Sequence, residues 1–395
     1  MNRAPKGNRL HLVVVGRRNV GKSSLINSLA NQEVSLVSDV AGTTTDPVTK
    51  AMELAPLGPV LLIDTAGIDD VGTLGEARMR RTRETLDQAD LVILVTDQVA
   101  ELGNWDPVLM EQVDQLAVPW IEVLTKVDSL SPEERTAIPQ EVVAVSNLTG
   151  EGVGKLKERL AAALPKGDNE PAIVGDLLKP GDMAVLVIPL DKQAPKGRLI
   201  LPQVQTIRDL IDHGCQALVV REKELAATME RLGSTPDLVI TDSQIFAQVA
   251  AMVPDHVPLT SFSILFARYK GDLALLQAGC AALETLSPRA RILIAETCTH
   301  RPTDEDIGRV KIPNLLRKRL GNGLEFHWSS GNDFPADLED FDLVIHCGGC
   351  MVNRQTVLSR LRKLSAFQVP VVNYGMLIAH ELGILTRALQ PLLAR

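Results

Sequence analysis

The stretch that most constrains this chain is Leu12 to Val15, four apolar residues that run directly into Gly16-Arg17-Arg18-Asn19-Val20-Gly21-Lys22-Ser23. The spacing is G-x-x-x-x-G-K-[ST], which requires a buried strand before it and a helix after it. Ser24 to Leu29 continues with helical spacing, so both requirements are met. The backbone of Gly16, Arg17, Asn19, Val20, Gly21 and Ser24 can then close on phosphates at a helix N-terminus. Lys22 reaches the β and γ phosphates, and the Ser23 hydroxyl can ligate Mg2+.

Further elements follow in the order a nucleotide switch needs. Leu61 to Ile63 is an apolar strand ending in Asp64-Thr65-Ala66-Gly67, where Asp64 can hold Mg2+ through water and the Gly67 N–H can face the γ phosphate. Between the two motifs lies Ala41-Gly42-Thr43-Thr44-Thr45-Asp46-Pro47, turn-rich and able to offer a threonine hydroxyl to the metal. Thr44 is favoured for that role, with Thr43 beside it. Lys22, Thr44 and Gly67 are thus the candidate catalytic groups. Leu91 to Val95 and Ile121 to Leu124 read as buried strands, the second leading into Thr125-Lys126-Val127-Asp128. A carboxylate at Asp128 accepts two N–H donors of guanine that adenine lacks, which selects GTP. Ser146-Asn147, after the short strand Val142 to Val145, is placed to close over the base.

On these motifs, residues 9 to about 165 resemble a GTPase domain of the Era and MnmE type. Thr125 stands where that family more often has Asn, and Asn147 where it has Ala, which implies modest base affinity with the guanine preference kept by Asp128. Ile68 follows the D-T-A-G sequence and cannot orient water, so slow unassisted hydrolysis is expected. The resemblance further implies K+ binding at Asn19. The arginines of the charged helix Thr73 to Gln88 read as a solvated face.

The length leaves room for two further domains. A linker is expected at Leu164 to Pro171, and the alternation of short apolar runs with helical spans predicts small parallel sheets. The expected architecture is α/β in three parts: a P-loop GTPase domain over 1–168, a small parallel α/β dimerisation domain over 169–263, and a doubly wound α/β domain over 264–395. The second part carries no converging acid, base or metal set, which suits self-association and predicts a homodimer. A net charge of -8 and 3% aromatic residues argue against a nucleic-acid partner, which needs a basic face. Five cysteines without a regular framework fit a reduced cytoplasmic protein, and no apolar run approaches a membrane span.

Three of those five cysteines fall in two short segments, Cys298-Thr299-His300 and His346-Cys347-Gly348-Gly349-Cys350. Each follows an apparent strand, Arg291 to Glu296 and Asp342 to His346, so both sit where parallel sheets present ligands. Cys347 and Cys350 are read at the N-terminus of a helix beginning at Met351, whose dipole would lower a thiol pKa. Three thiolates with a histidine suit tetrahedral zinc; three thiolates alone suit an iron-sulfur cluster with one iron left for another ligand. The residues by themselves leave both open.

The whole constellation resembles the HydF family, GTPases that mature FeFe-hydrogenase, and the C-T-H and H-C-G-G-C motifs are its most specific residues. That resemblance implies a 4Fe-4S cluster on Cys298, Cys347 and Cys350, with His300, His346 or Glu305 as fourth ligand or hydrogen-bonding neighbour. It implies, as partners, the radical-SAM maturases HydE and HydG and apo FeFe-hydrogenase, between which a di-iron precursor is assembled or carried. The rival expectation is an RNA-modification or ribosome-assembly GTPase with a structural zinc domain.

Overall fold

The computed structural model describes residues 5–30, 47–67, 73–164, 172–190, 199–297, 306–331 and 334–393, and it divides into two compact units, Met1–Glu170 and Pro171–Arg395.

In the first unit, β1 (Leu10–Gly16), β2 (Val48–Leu54), β3 (Gly58–Asp64), β4 (Leu91–Thr96), β5 (Trp120–Leu124) and β6 (Val143–Ala144) form one sheet in the order β2-β3-β1-β4-β5-β6. Only β2 runs antiparallel; Val48 opposes Asp64 and Leu54 opposes Gly58. Leu12 to Val15 have no exposed surface, as a central strand covered on both faces requires. Helices α1 (Lys22–Ala30), α2 (Thr73–Leu86), α3 (Pro107–Leu116), α4 (Pro132–Thr136) and α5 (Val153–Ala163) connect the strands. Strand β2 was not anticipated, because it follows the turn-rich threonine stretch and its outer face is polar.

The second unit holds two four-stranded, wholly parallel sheets. One contains β7 (Met183–Val187), β8 (Gln216–Val220), β9 (Leu238–Thr241) and β10 (Leu259–Ser261), ordered β10-β9-β7-β8. Its helices are α6 (Leu201–Asp212), α7 (Leu225–Leu232), α8 (Phe246–Met252) and α9 (Phe262–Lys270). Next come α10 (Leu273–Thr285), β11 (Arg291–Glu296), α11 (Ile312–Leu320), β12 (Glu325–Ser330), β13 (Leu343–His346), α12 (Arg354–Ala366), β14 (Val371–Asn373), α13 (Tyr374–Glu381) and α14 (Leu385–Leu393). Their sheet is ordered β12-β11-β13-β14. In each sheet the first strand is central, the second lies outside it, and the third and fourth add on the opposite side. The winding therefore reverses between β7 and β9, and again between β11 and β13.

The core of this unit is continuous. One cluster of buried side chains runs from Val185 and Val239 through Ile264 and Leu276 to Ile292, Ile345 and Val372. Helix α9 carries much of that continuity and was not foreseen. Phe262, Ile264, Leu265, Phe266, Ala267 and Lys270 are all buried, so it lacks the one-sided apolar stripe that marks a surface helix. Its start is set by Ser261, whose side chain accepts the Ile264 N–H at 3.3 Å.

Candidate functional site

The loop after β1 has the backbone its sequence demands. Gly21 sits at φ +96° and Asn19 at φ 62°. A Cβ on Gly16 would lie 2.2 Å from the Val95 carbonyl oxygen, so only glycine fits against β4. The Lys22 ammonium donates to the carbonyls of Gly16 at 2.9 Å and Arg17 at 2.7 Å, which holds it over the loop. The Arg17 side chain pairs with Glu101. Val20 is buried, whereas Ser23 and Ser24 are exposed at the start of α1.

The Ser23 hydroxyl donates to one Asp64 oxygen, and the other, Oδ1, is buried without a hydrogen-bond partner. Burial pushes the Asp64 carboxyl above the usual carboxylate range, opposed by the Ser23 hydrogen bond and the Lys22 charge. A hydroxyl beside an under-satisfied carboxylate oxygen is a donor set that fits Mg2+. Gly67 is described at the end of β3's following loop. Thr43 and Thr44 lie outside the described residues, as does Ile68.

At the other end of the loop, the Thr125 hydroxyl donates to the Val20 carbonyl at 2.5 Å. The Asn147 amide donates to the Gly21 carbonyl at 3.3 Å. The two departures from the usual motif thus act together, tying the loops after β5 and β6 to the loop after β1. Lys126, at φ 56°, pairs with Asp97 at 2.5 Å, and the Ser146 hydroxyl donates to Asp128 Oδ1 at 2.5 Å, which fixes that carboxylate.

In the second unit, β11 and β13, the strands that lead into the two cysteine segments, are parallel neighbours where the winding reverses. Ala295 is in register with His346, and the Cys347 N–H donates to the Ala295 carbonyl at 2.9 Å. Beyond the strands, the backbone N–H of Thr297 lies 3.2 Å from Cys347 Sγ, as does its hydroxyl. Thr297 immediately precedes Cys298. Cys298, His300 and Glu305 themselves lie outside the described residues. Among the described residues, no group of three or more His, Cys, Asp or Glu side chains is gathered to hold a metal ion.

His346 is buried and both its ring nitrogens are engaged. Nε2 meets Arg360 Nε at 3.0 Å and Nδ1 meets the Cys347 carbonyl at 2.6 Å. Burial and the nearby Arg360 charge push its pKa down to about 3, so it is a neutral imidazole that accepts from Arg360 and donates to Cys347. In this arrangement it buttresses the cysteine turn and has no free nitrogen for a metal. Arg360 also donates to the Gly331 carbonyl and lies over the Phe334 ring, 4.3 Å from its centre.

The cysteine turn differs from its expectation in one respect. Helix α12 begins at Arg354, with the Asn353 side chain accepting the Thr356 N–H at 3.3 Å, so Cys347 and Cys350 precede the helix. The expected lowering of a thiol pKa by the dipole is not found at Cys350. Burial raises its pKa, helped by the neighbouring Cys347, against the lowering effect of Lys270. Lys270, at the end of α9, places its ammonium among the carbonyls of the turn; burial pushes its pKa down to about 8. Thr297, Arg360 and Lys270 were missed in the sequence, where each reads as an ordinary surface or helix-end residue. Cys215 and Cys280 are buried among apolar side chains.

Compared with known families, residues 173–271 match the hydrogen maturase F dimerization domain and residues 274–391 the hydrogen maturase F tetramerization domain. The chain belongs to the hydrogen maturase F family. Its residues 11–126 match the family described as 50S ribosome-binding GTPase, so the first unit carries a GTPase domain and the second carries the family's oligomerisation domains. The cysteine and histidine residues expected at a metal cluster fall within the residues matched by the tetramerization domain.

Among curated proteins, the tRNA modification GTPase MnmE of Rhodospirillum rubrum is 41% identical over 170 residues, 42% of this chain and 36% of that protein. The MnmE of Lysinibacillus sphaericus is 36% identical over 42% of this chain and 36% of its own length. This chain spans about a third of the length of these relatives. Among solved structures, Era in complex with MgGDPNP and a 16S ribosomal RNA fragment is 22% identical, covering 53% of this chain and 92% of that one, with a TM-score of 0.31. The G domain of the T. maritima FeoB iron transporter is 26% identical, covering 40% of this chain and 99% of that one, with a TM-score of 0.28. Among the described residues no helix is long and apolar enough to cross a membrane.

Proposed function

We propose that this chain is a GTP-hydrolysing scaffold that binds a 4Fe-4S cluster through Cys298, Cys347 and Cys350, and assembles or carries the di-iron precursor for apo FeFe-hydrogenase. The observation that carries the metal half is the Thr297 backbone N–H on Cys347 Sγ, because it fixes the residue beside Cys298 against a second ligand sulfur. Adjacent parallel strands β11 and β13 hold that pairing in register. A cluster supplies an iron able to take an exchangeable ligand. His346 and Arg360 support the turn from beneath, which leaves His300 and Glu305 as the candidates for the fourth position. HydE and HydG are the proposed suppliers of the precursor and the apo-hydrogenase its acceptor, with work divided as a switch over 1–168, self-association over 169–263 and metal binding over 264–395.

In the nucleotide domain, Lys22 moves from the Gly16 and Arg17 carbonyls to the β and γ phosphates when GTP enters. Ser23, Thr44 and, through water, Asp64 hold Mg2+; Asp128 reads guanine; the Gly67 N–H meets the γ phosphate; Asn19 lines the position for K+. Ile68 orients no water, so hydrolysis without a partner is slow. A homodimer is supported by edge strand β8, whose Val219 is 44% exposed, with Ile211 of the neighbouring α6 58% exposed. Unpaired edge strands with apolar surface favour pairing with a second copy. The protein works in the cytoplasm, where its thiols stay reduced.

The test is iron and acid-labile sulfide analysis, with EPR after reduction, on protein purified without oxygen. About four iron and four sulfide per chain are expected. One zinc without sulfide would sink the cluster reading and return the chain to the RNA-modification or ribosome-assembly class.

A further inference from the structure

Lys270 is 1% exposed and belongs to neither cysteine segment. Its Nζ lies 3.3 Å from the Gly349 carbonyl, 3.4 Å from that of Cys350 and 2.7 Å from that of Val352. Three carbonyls match the three N–H donors of an ammonium. The ammonium also sits 5.5 Å from the centre of the Phe266 ring. The preceding residue, Tyr269, gives its carbonyl to Arg354 Nε at 3.0 Å, so one helix end grips both the cysteine turn and the start of α12. Among the described residues, no carboxylate forms an ion pair with Lys270.

That last point is unusual. A buried charge is costly unless opposite charge compensates it, and carbonyl dipoles alone do so only in part. The chain places this cation against the Cys347 to Cys350 turn, whose thiols become anionic on binding metal. The geometry points to Lys270 as a positioning residue of the metal site: its ammonium holds the Cys347 to Cys350 turn by three carbonyls and supplies the fixed positive charge that favours the thiolate-bound, more reduced metal centre. This rests on the reading of the turn as a metal site. Cluster potentials respond to nearby charge and to hydrogen bonding around the ligands, so loss of the cation should lower the potential.

The experiment compares full-length wild type with Lys270→Gln, Lys270→Met and Lys270→Arg. Iron and sulfide are counted, the midpoint potential is read by EPR-monitored titration, and Co2+ binding to the metal-free protein is followed by thiolate-to-cobalt absorbance. Lys270→Gln keeps hydrogen-bonding donors without charge. It should bind Co2+ about 10-fold or more weakly, the scale expected for residues supporting metal ligands, and shift the potential downward. Lys270→Arg should recover much of both, and GTP hydrolysis should not change in any variant. A folded Lys270→Gln with wild-type potential and Co2+ affinity would overturn the proposal, as would equal losses in Lys270→Gln and Lys270→Arg. If wild type itself yields no sulfide, the cluster reading fails by itself, and weakened Co2+ binding in Lys270→Gln still supports the role of Lys270 at a thiolate site.

Discussion

The two glycines between Cys347 and Cys350 are indistinguishable in the sequence and opposite in the structure. Gly349 has φ +60°, a conformation that costs an L side chain about 1–2 kcal/mol. A Cβ there would also lie 2.7 Å from Val357 Cγ2, inside the packing of α12, and forcing extra volume into such a site costs roughly 1–3 kcal/mol. Gly349→Ala should therefore lose about 2–5 kcal/mol, the sum of those two terms. For a unit of this size each kcal/mol lowers Tm by roughly 2–4 °C, so calorimetry on metal-free protein should show a fall of about 4–20 °C. At Gly348 the nearest atom to an added Cβ is Ser263 Oγ at 3.9 Å, an ordinary contact. Gly348→Ala should melt within about 4 °C of wild type, since an unstrained Gly→Ala change is worth only about 0.4–1 kcal/mol. Iron content should follow the same split, because Gly349 also offers its carbonyl to Lys270. Equal melting temperatures for the two variants would refute this account of the turn.

Other outcomes follow from the two sites. Lys22→Ala should abolish GTP hydrolysis while iron content stays at the wild-type level; loss of iron in that variant would show that the sites are not independent. Cys347→Ser should remove the reducible EPR signal and leave the GTPase rate unchanged, and a folded variant without hydrolysis would contradict it. Asp64 has its folded-state pKa raised above the unfolded value, so the native state holds its proton more tightly and this residue's contribution to stability is lost as pH rises through the raised pKa. Asp64→Asn should remove that loss, melting higher than wild type at neutral pH without nucleotide while hydrolysing GTP poorly. A lower melting temperature for Asp64→Asn at neutral pH would show that the carboxylate is satisfied by something other than magnesium.

How far the fold could be read depended on whether an element shows one face or two to the core. Strand β11 lies at the residues expected of it, since short β-branched and leucine runs bounded by turn residues have few other uses. Helices α9 and α13 were missed for the opposite reason. Both are apolar around most of their circumference, so neither shows the polar stripe that would mark its period. Helix α12 was placed three residues early because Met351 and Val352 look helical, whereas Asn353 supplies the side-chain oxygen that starts it.

The GTPase domain was legible because its signature is local: eight consecutive residues carry the motif, and no other part of the chain is needed to recognise it. The cysteine site depends on strand order, which local pattern does not encode. Were β12 to lie between β11 and β13, the ends of those strands would stand apart by two strand spacings, about 10 Å, and Thr297 could not reach Cys347 Sγ. The observed order β12-β11-β13-β14 makes them neighbours and also places a reversal of winding between them, the kind of position at which open parallel sheets take ligands. The supporting cation is more remote still from any sequence signal. A lysine followed by glycine at a helix end reads as an ordinary basic C-terminus, and only the packing of α9 against α12 turns it inward beneath the cysteine turn. The cysteine motifs stand out in the sequence because metal chemistry restricts residue type. The residues that hold them do not, because carbonyl oxygens and a buried cavity can be served by many side chains, and tertiary packing alone decides which one arrives.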